Sequence, residues 1–170
     1  MVFSKLREAQ VINAAQIFVE GIGFLGVSKE VELPAIEFET YTQNGGFYKS
    51  NQNSGILKEM TLKVKFAEYN IVYLNSMSSQ FNQSSNLYVK WNVSSQKGHF
   101  GHVATFRGNI TKLTMPKVAS GEEVEVELEM QVYFYKKDEN NAQVMLIDTR
   151  NMICLMGGKD IWADLRSHVM

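Results

Sequence analysis

The sequence predicts a mainly β protein: an antiparallel β-sandwich or barrel with one flanking α-helix and a short C-terminal helix. Three observations predict this class. Apolar and polar residues alternate along several segments, clusters of Gly, Asn and Ser separate those segments, and helical spacing of apolar residues occurs in only two places. With 170 residues, 45% of them hydrophobic, the chain is long enough for a single domain, residues 1–170, with a substantial core.

The predicted strands follow from this alternation, because successive side chains of a strand point to opposite faces. In Lys58–Phe66, every second residue from Met60 onward is apolar and the residues between them are polar. The longest alternating run, Val124–Tyr135, would span roughly 40 Å at about 3.3 Å per residue. The other predicted strands are Ile12–Glu20, Phe24–Val27, Ala35–Thr42, Leu87–Val93, Phe100–Phe106, Val144–Asp148 and Met152–Met156.

The flanking helix is predicted over Ala67–Met77, because Tyr69, Val72 and Tyr73 recur there at helical spacing. The charged and amide-rich segment Lys136–Asn141 separates two alternating runs. It is therefore interpreted as the tip of a hairpin.

The C-terminal helix is predicted over Asp160–His168, with Asp160 as its N-cap. Helical spacing gathers three apolar side chains on one face of this segment. We expect that face to pack on the β-domain or on a neighbouring molecule through Ile161, Trp162 and Leu165.

One long polar segment, Thr42–Ile56, is predicted to be a loop because it is rich in Gly, Asn, Gln and Ser. Loops longer than about 12 residues without structure of their own are usually functional or disordered. This one also carries two large aromatic residues, Phe47 and Tyr48, which are suitable anchors for a partner.

Composition excludes several classes of protein. The net charge is −1, which argues against a broadly basic nucleic-acid binder. A single cysteine excludes an intramolecular disulfide framework. No apolar run is long enough for a transmembrane helix, and Met1–Glu8 lacks the apolar run of a signal peptide. The expectation is a soluble protein made in the cytoplasm, in which the sequons at Asn82, Asn92 and Asn109 are not used.

No motif predicts catalysis, a cofactor or a metal. Gly21–Gly26 matches the G-x-G-x-x-G pattern, but the alternating, proline-ended segment Val27–Pro34 that follows is no helix, so a hairpin is the better interpretation. His99 and His102 would point to opposite faces of a strand and would converge poorly on a metal. Cys154 lies in an apolar run, where a thiol behaves as a small hydrophobic side chain. The sequence therefore predicts no enzyme.

A row of four carboxylates alternates with apolar residues in the longest predicted strand. On one strand face they would lie about 6.6 Å apart. Each neighbouring pair would repel by roughly 0.6 kcal/mol in water. The face is either solvated and paired with lysines such as Lys63 and Lys65 on an adjacent strand, or an acidic surface with a purpose. The four residues are Glu123, Glu125, Glu127 and Glu129.

Several ordered segments resemble the major tail tube proteins of contractile, myovirus-type phage tails. The resemblance spans nearly the whole chain and is weakest across Asn70–Gly98. The segments that carry it are Phe18–Gly26, Val31–Pro34, Thr42–Gly46, Phe106–Gly108, Gly121–Glu123, Ile147–Ile153, Gly158–Asp160 and Asp164–Arg166.

The resemblance implies a structural subunit that assembles into hexameric rings, which stack into the inner tube of the tail or of a phage-derived injection device. The implied partners are other copies of the chain, the tail sheath protein, the tape measure protein, and the baseplate and tail terminator proteins. DNA would pass through the lumen without specific binding, and no membrane is involved. The implied location is the virion tail, assembled in the cytoplasm of the bacterial host.

Two site predictions combine the resemblance with the residues. The face of Glu123, Glu125, Glu127 and Glu129 is predicted to line the lumen, where negative charge repels DNA phosphates over about 8 Å at physiological salt. The loop residues Asn44, Gly45, Gly46, Phe47 and Tyr48 are predicted to contact the next ring. The alternative function is a monomeric β-barrel that binds a small apolar ligand, which requires an enclosed cavity.

Overall fold

The computed structural model describes residues 7–170, so the first six residues of the Met1–Glu8 segment considered above lie outside the described residues. The described chain forms twelve strands and two helices. In chain order they are β1 (Val11–Val19), β2 (Ile22–Gly23), β3 (Ser28–Glu32), β4 (Phe38–Asn44), β5 (Lys49–Leu57), β6 (Met60–Phe66), α1 (Ile71–Ser79), β7 (Ser85–Ser95), β8 (Gly98–Thr114), β9 (Val126–Glu139), β10 (Ala142–Asp148), β11 (Ile153–Met156), β12 (Lys159–Asp160) and α2 (Ala163–Val169).

Ten strands form one antiparallel sheet, whose main path runs β12-β11-β10-β9-β8-β7-β1-β2. In addition, β6 pairs with β9, and β3 pairs with β6. Strands β4 and β5 pair only with each other and form a separate two-stranded sheet. This arrangement confirms the mainly β, antiparallel class with a flanking helix and a short C-terminal helix.

The long strand β9 divides the large sheet into two wings. Its first half, Val126–Val132, pairs with β6, and its second half, Phe134–Glu139, pairs with β10 along the same edge. We call β3, β6 and the adjoining halves of β9 and β8 the small wing, and the remaining strands of the sheet the large wing. Among the described residues the strands form an open path, so the wings enclose the core without closing into a barrel.

Both wings contribute to one continuous hydrophobic core. In β6 every second residue from Met60 to Phe66 is buried, as the alternation predicts. Helix α1 flanks this core through Tyr73, whose ring stacks on Phe66 with 4.6 Å between the ring centroids. Asn70 starts the helix, because its side chain accepts a hydrogen bond from the backbone N–H of Val72. The helix is thus shifted slightly from the predicted Ala67–Met77.

The predicted loop Thr42–Ile56 is wrong, because most of this segment lies in the hairpin of β4 and β5. Its pairing includes Thr42 with Asn51 and Tyr41 with Gln52. Both faces of these strands are largely exposed. Alternation between a buried and a solvated face is therefore missing, and the sequence pattern could not reveal the strands.

Several further element boundaries differ from the prediction, for example β8, which extends from Gly98 to Thr114 and not only over Phe100–Phe106, and two of the differences change the type of local structure. Phe24–Val27 is a turn and not a strand, since Gly26 has a φ of +84°, and the following strand starts at Ser28. The tip predicted over Lys136–Asn141 narrows to Asn140 and Asn141, with φ of +47° and +65°. Positive φ at both positions is typical of a tight type I′ hairpin turn, so the strand before it continues to Glu139.

The hairpin predicted over Gly21–Gly26 is confirmed: Glu20 and Gly21 turn the chain from β1 into β2.

The longer of the two described helices, α1, has nine residues, and no described helix has the length and apolarity needed to cross a membrane.

Candidate functional site

The outer face of the small wing carries charges of alternating sign. The register places Glu32 opposite Lys63, Lys63 opposite Glu129, and Glu129 opposite Lys112 on four successive strands. The next row runs Glu30, Lys65, Glu127 and Thr114 in the same order. We call this surface the charged face, and it consists of Glu30, Glu32, Lys63, Lys65, Lys112, Glu127 and Glu129.

Alternation removes the repulsion expected of a row of carboxylates. Each of the carboxylates Glu127 and Glu129 has a lysine of β6 directly opposite. Opposite charges in such cross-strand positions contribute roughly 0.2–1 kcal/mol each, whereas like charges would destabilise the sheet. The lysine-paired interpretation of the glutamate row therefore describes the isolated subunit.

Two of the four predicted carboxylates precede the strand. Strand β9 starts at Val126, opposite Phe66 at the end of β6, so Glu123 and Glu125 lie in the loop before it. Lys29 binds both of them, with Nζ 3.4 Å from Glu123 Oε2 and 3.8 Å from Glu125 Oε2. The four glutamates therefore do not share one strand face, although their charges lie at the same end of the small wing.

The hairpin of β4 and β5 is the most exposed part of the sheet structure. The five residues predicted as the inter-ring contact lie at its turn. There the backbone N–H of Gly45 donates to the carbonyl of Tyr48 at 2.9 Å, and the N–H of Gly46 donates to Asn44 Oδ1 at 3.1 Å. The Phe47 side chain is 93% exposed and contacts the Tyr48 ring edge-on, with 4.9 Å between centroids. The tip therefore presents an aromatic pair to solvent.

The base of the hairpin contacts the body through its end residues and through Trp162. Phe38 and Leu57 are partly buried and pack against the core. Trp162 Nε1–H donates to the carbonyl of Gly55 at 3.1 Å, and the partly buried Trp162 ring packs against the core. Lys58 Nζ donates to Glu37 Oε1 at 2.8 Å, a bond that joins the two ends of the hairpin and raises the pKa of Lys58 above its usual value. The contacts of Phe38, Leu57 and Trp162 orient the hairpin relative to the body and leave its tip free.

The C-terminal helix α2 is held by polar contacts that the apolar pattern did not reveal. Arg166 Nη1 donates to the carbonyl of Met152 at 2.8 Å and to Asp160 Oδ2 at 3.0 Å. Desolvation tends to raise the pKa of Asp160, but hydrogen bonds from Trp162 N–H, Arg166 and Cys154 N–H together hold it below its usual value. The predicted helix Asp160–His168 with Asp160 as its N-cap is therefore wrong at its start: α2 begins at Ala163, Trp162 occupies the N-cap position without a side-chain capping bond, and Asp160 accepts the Trp162 N–H in the turn before the helix.

The three predicted packing residues of the C-terminus have different environments. Trp162 packs on the core, as described, whereas the side chains of Ile161 and Leu165 are 43% and 49% exposed. Arg166 was missed, because a single basic residue in a short helix gives no signal until the turn at Asp160 brings a carboxylate beside it.

The two histidines and the cysteine considered in the sequence do not come together in one site. His99 Nδ1 lies 2.7 Å from Ser94 Oγ, while the His102 ring stacks on Trp91 with 5.3 Å between centroids, so the two rings have separate partners. Cys154 is fully buried, and burial raises the pKa of its thiol. Within residues 7–170, no three His, Cys, Asp or Glu side chains group as a metal site.

An apolar groove lies between β1, β3 and β7, with a volume of about 230 Å³. Ile12, Val31 and Trp91 are among its lining residues. Ligand pockets usually measure about 300–1,000 Å³ and bury most of the ligand. A neighbouring groove, lined by Leu25, Trp91 and His102 among others, is larger at about 410 Å³ but more open to solvent. Neither groove is the enclosed cavity that the alternative function requires.

Open sheet edges and a protruding hairpin define a class of protein: a β-rich structural module suited to assembly with other chains. A family model for phage tail tube protein FII matches residues 9–169. The chain belongs to this family of tail tube structural proteins. The match confirms the resemblance stated from the sequence. No curated protein matches the chain.

Three solved structures share the fold. The sheath/tube terminator of the extracellular contractile injection system PVC has a TM-score of 0.57 at 12% identity, covering 79% of this chain and 99% of that one. The PVC sheath-tube complex has a TM-score of 0.54 at 12% identity, with 74% and 88% coverage. The tube-terminating cap of the anti-feeding prophage has a TM-score of 0.53 at 10% identity, with 81% and 95% coverage.

Proposed function

We propose that this protein is the subunit of the inner tube of a contractile phage tail or of a phage-derived injection device, assembled as stacked hexameric rings. The observation that carries this proposal is the detached hairpin of β4 and β5. An isolated two-stranded hairpin is at best marginally stable in water. A hairpin that exposes Phe47 almost completely has no evident role within one subunit and is suited to contact the next ring.

Ring closure is supported by the edge of β1. Strand β7 pairs with β1 along its whole length, but β2 pairs only with Phe18 and Val19 on the other side. Val11 and Ile12, at the uncovered end, are 61% and 62% exposed. Exposed strand edges invite pairing with another chain, and a head-to-tail ring covers every such edge. We therefore assign this edge to the contact between neighbours in a ring.

The charged face is proposed to line the lumen through which DNA passes. Together with Glu123, Glu125 and their partner Lys29, it holds six carboxylates and four lysines. Each of its lysines has a carboxylate opposite in the sheet register, so no uncompensated positive cluster is available to bind phosphate. A wall with compensated lysines and a small acidic excess lets DNA pass without adhering.

The lumen assignment is tested by labelling assembled tubes of a Glu129→Cys variant. Cys154 is buried, so the introduced thiol is the reactive one. A small maleimide that enters the channel is expected to label Cys at this position, whereas a maleimide on a large polymer is excluded until the tubes are dissociated. Equal labelling by both reagents in intact tubes would place the charged face on the outside.

The proposed partners follow from the shared fold and the family. The similar structures belong to sheath-tube, terminator and cap assemblies, and we propose the sheath, terminator and baseplate proteins as partners of this tube. The tape measure protein would fill the lumen before DNA does. The proposed location is the virion tail, with assembly in the host cytoplasm.

The function as a whole is tested by negative-stain electron microscopy of the purified protein over a range of concentrations. Rings or tubes of uniform width are expected. The matched variant shortens the hairpin by deleting residues 41–43 and 50–52, which removes three paired positions from each strand and keeps the turn. This variant is expected to fold and to form rings that do not stack. Wild-type protein that stays monomeric at all concentrations would refute the proposal.

A further inference from the structure

The hairpin tip needs a surface to contact on the next ring, and the structure offers one. We propose, resting on the proposed function, that the tip residues 44–49 of one subunit seat on the loop between β8 and β9 of a subunit in the adjacent ring. We call this segment, residues 115–125, the receiving loop. Phe47 covers Val118, and Lys49 lies beside Glu122.

The first argument is position. Strand β6 runs from Met60, next to the base of the hairpin, to Phe66, and Phe66 pairs with Val126 immediately after the receiving loop. The hairpin base and the receiving loop therefore lie at opposite ends of β6. The seven residues of β4 extend the tip by about 23 Å at roughly 3.3 Å per residue. When the hairpin tip lies at one end of a subunit and the receiving loop at the other, identical subunits can join head to tail in an open-ended stack. Stacking of rings requires a contact of this kind.

The second argument is exposure. Val118 and Phe47, at 99% and 93%, are the two most exposed large apolar side chains among the described residues. The receiving loop also exposes Met115, three residues before Val118. An aromatic ring buries about 150–250 Å² when it is covered, and six copies of the contact act together in each ring. Both apolar side chains are covered by one contact.

The third argument is charge. The hairpin segment 41–56 contains one charged residue, Lys49 at the tip, whereas the receiving loop contains three glutamates and one lysine. Glu123 and Glu125 contact Lys29 of their own subunit. Among the described residues, Glu122 makes no ion pair. The cationic tip and the acidic loop are thus complementary.

The contact is tested by cysteine cross-linking in assembled tubes. The variant Phe47→Cys with Val118→Cys is oxidised with copper phenanthroline and analysed on denaturing gels. A ladder of covalent oligomers that runs beyond the hexamer is expected, because each subunit links to the ring above and the ring below. The matched control, Phe47→Cys with Phe81→Cys, uses an equally accessible aromatic position, 86% exposed, and is expected to give no ladder.

Charge reversal gives a second readout that needs no disulfide. Lys49→Glu is expected to raise the protein concentration needed for tube formation about tenfold, and Glu122→Lys in the same chain is expected to restore it. Two results would overturn the proposed contact with the receiving loop and leave the proposed function standing. One is that the double-cysteine variant forms normal tubes but gives no ladder. The other is that Glu122→Lys does not restore the assembly of Lys49→Glu. Wild-type protein that forms no tubes would overturn both.

Discussion

Strand β6 and the hairpin of β4 and β5 are neighbours in the chain and have opposite environments. In β6 one face is fully buried, and the other carries Lys63 and Lys65 of the charged face. In the hairpin both faces of β4 are largely exposed, and polar side chains such as Thr42 and Asn51 contact each other across it. The same backbone structure is stabilised by a core along its whole length in β6, and in the hairpin only at its base, where Phe38 and Leu57 pack against the core.

The difference separates what one subunit needs for folding from what it needs for assembly. A strand over the core stabilises the isolated subunit, because burial of apolar side chains is the dominant favourable term. A hairpin that meets the core only at its base contributes little to that stability, so its length and aromatic tip have a different purpose. Substitutions in the two regions should therefore separate subunit stability from tube formation.

The largest effect on subunit stability is expected for Leu62→Ala in β6. Leu62 is fully buried in the core, and such truncations cost about 2–5 kcal/mol because they remove transfer free energy and leave a cavity. Tyr41→Ala in β4 is the matched control, with an expected change within about 0.5 kcal/mol, since its side chain is exposed. Urea unfolding of both variants measures the difference, and equal losses would contradict the comparison.

A smaller effect is expected for Trp162→Phe at the hairpin base. The substitution keeps an aromatic ring against the core and removes the N–H that donates to the Gly55 carbonyl. A net loss of about 1 kcal/mol is expected for such a hydrogen bond. Amide hydrogen exchange should accelerate in the hairpin more than in β6, whereas Leu165→Ala on the exposed side of α2 should leave both unchanged. Uniform acceleration across the protein would show that Trp162 does not hold the hairpin specifically.

A pH-dependent effect is expected at Asp160. The pKa of Asp160 in the folded protein lies below its usual value of about 3.9. The stabilisation from its hydrogen bonds is therefore fully present when the pH is above about 3.9, where the carboxylate is ionised. It is lost as the pH falls through the lower folded pKa. Asp160→Asn should therefore destabilise the protein at neutral pH and flatten the acid side of the stability profile. Asp164→Asn in α2 is the matched control, because among the described residues the Asp164 carboxylate accepts no hydrogen bond. Identical stability profiles for the two variants would exclude the Asp160 bonds as the cause.

The strands that cover the core could be predicted from the sequence, because burial of one face makes apolar residues recur at every second position. Leu62 and Val64 alternate with lysines, and this pattern specifies both the strand and its buried face. The hairpin strands could not be predicted in this way, because residues such as Asn51 and Gln52 are exposed and show no apolar period. Asn44, Gly45 and Gly46 are typical of turns and loops, but such residues alone do not show how far strands extend on either side of them.

The charged face illustrates a second limit of sequence reasoning. Pairing of the glutamates with Lys63 was one of two interpretations that the sequence left open, and the register alone shows that Lys63 and Lys112 lie on either side of Glu129. Arg166 and Asp160 form another pair of this kind, because a turn in the chain brings them together. The periodicity within one strand or helix predicts which of its faces is buried. Which side chains pair between different strands or helices is known only from the folded structure.

The smallest effect on subunit stability, with the largest effect on assembly, is expected for Phe47→Ser with Tyr48→Ser. The tip makes its contacts within the turn and none with the core, so the free energy of unfolding should change by less than about 0.5 kcal/mol. Tube formation should be lost, because the proposed contact between rings would lose its two aromatic side chains. Phe81→Ser, another highly exposed aromatic outside the hairpin, is the matched control and should assemble normally. Sedimentation together with urea unfolding measures both quantities on the same samples. If the tip variant pelleted as wild type does, the hairpin tip would not be the stacking contact, and the exposed strands of β4 and β5 would have to supply it.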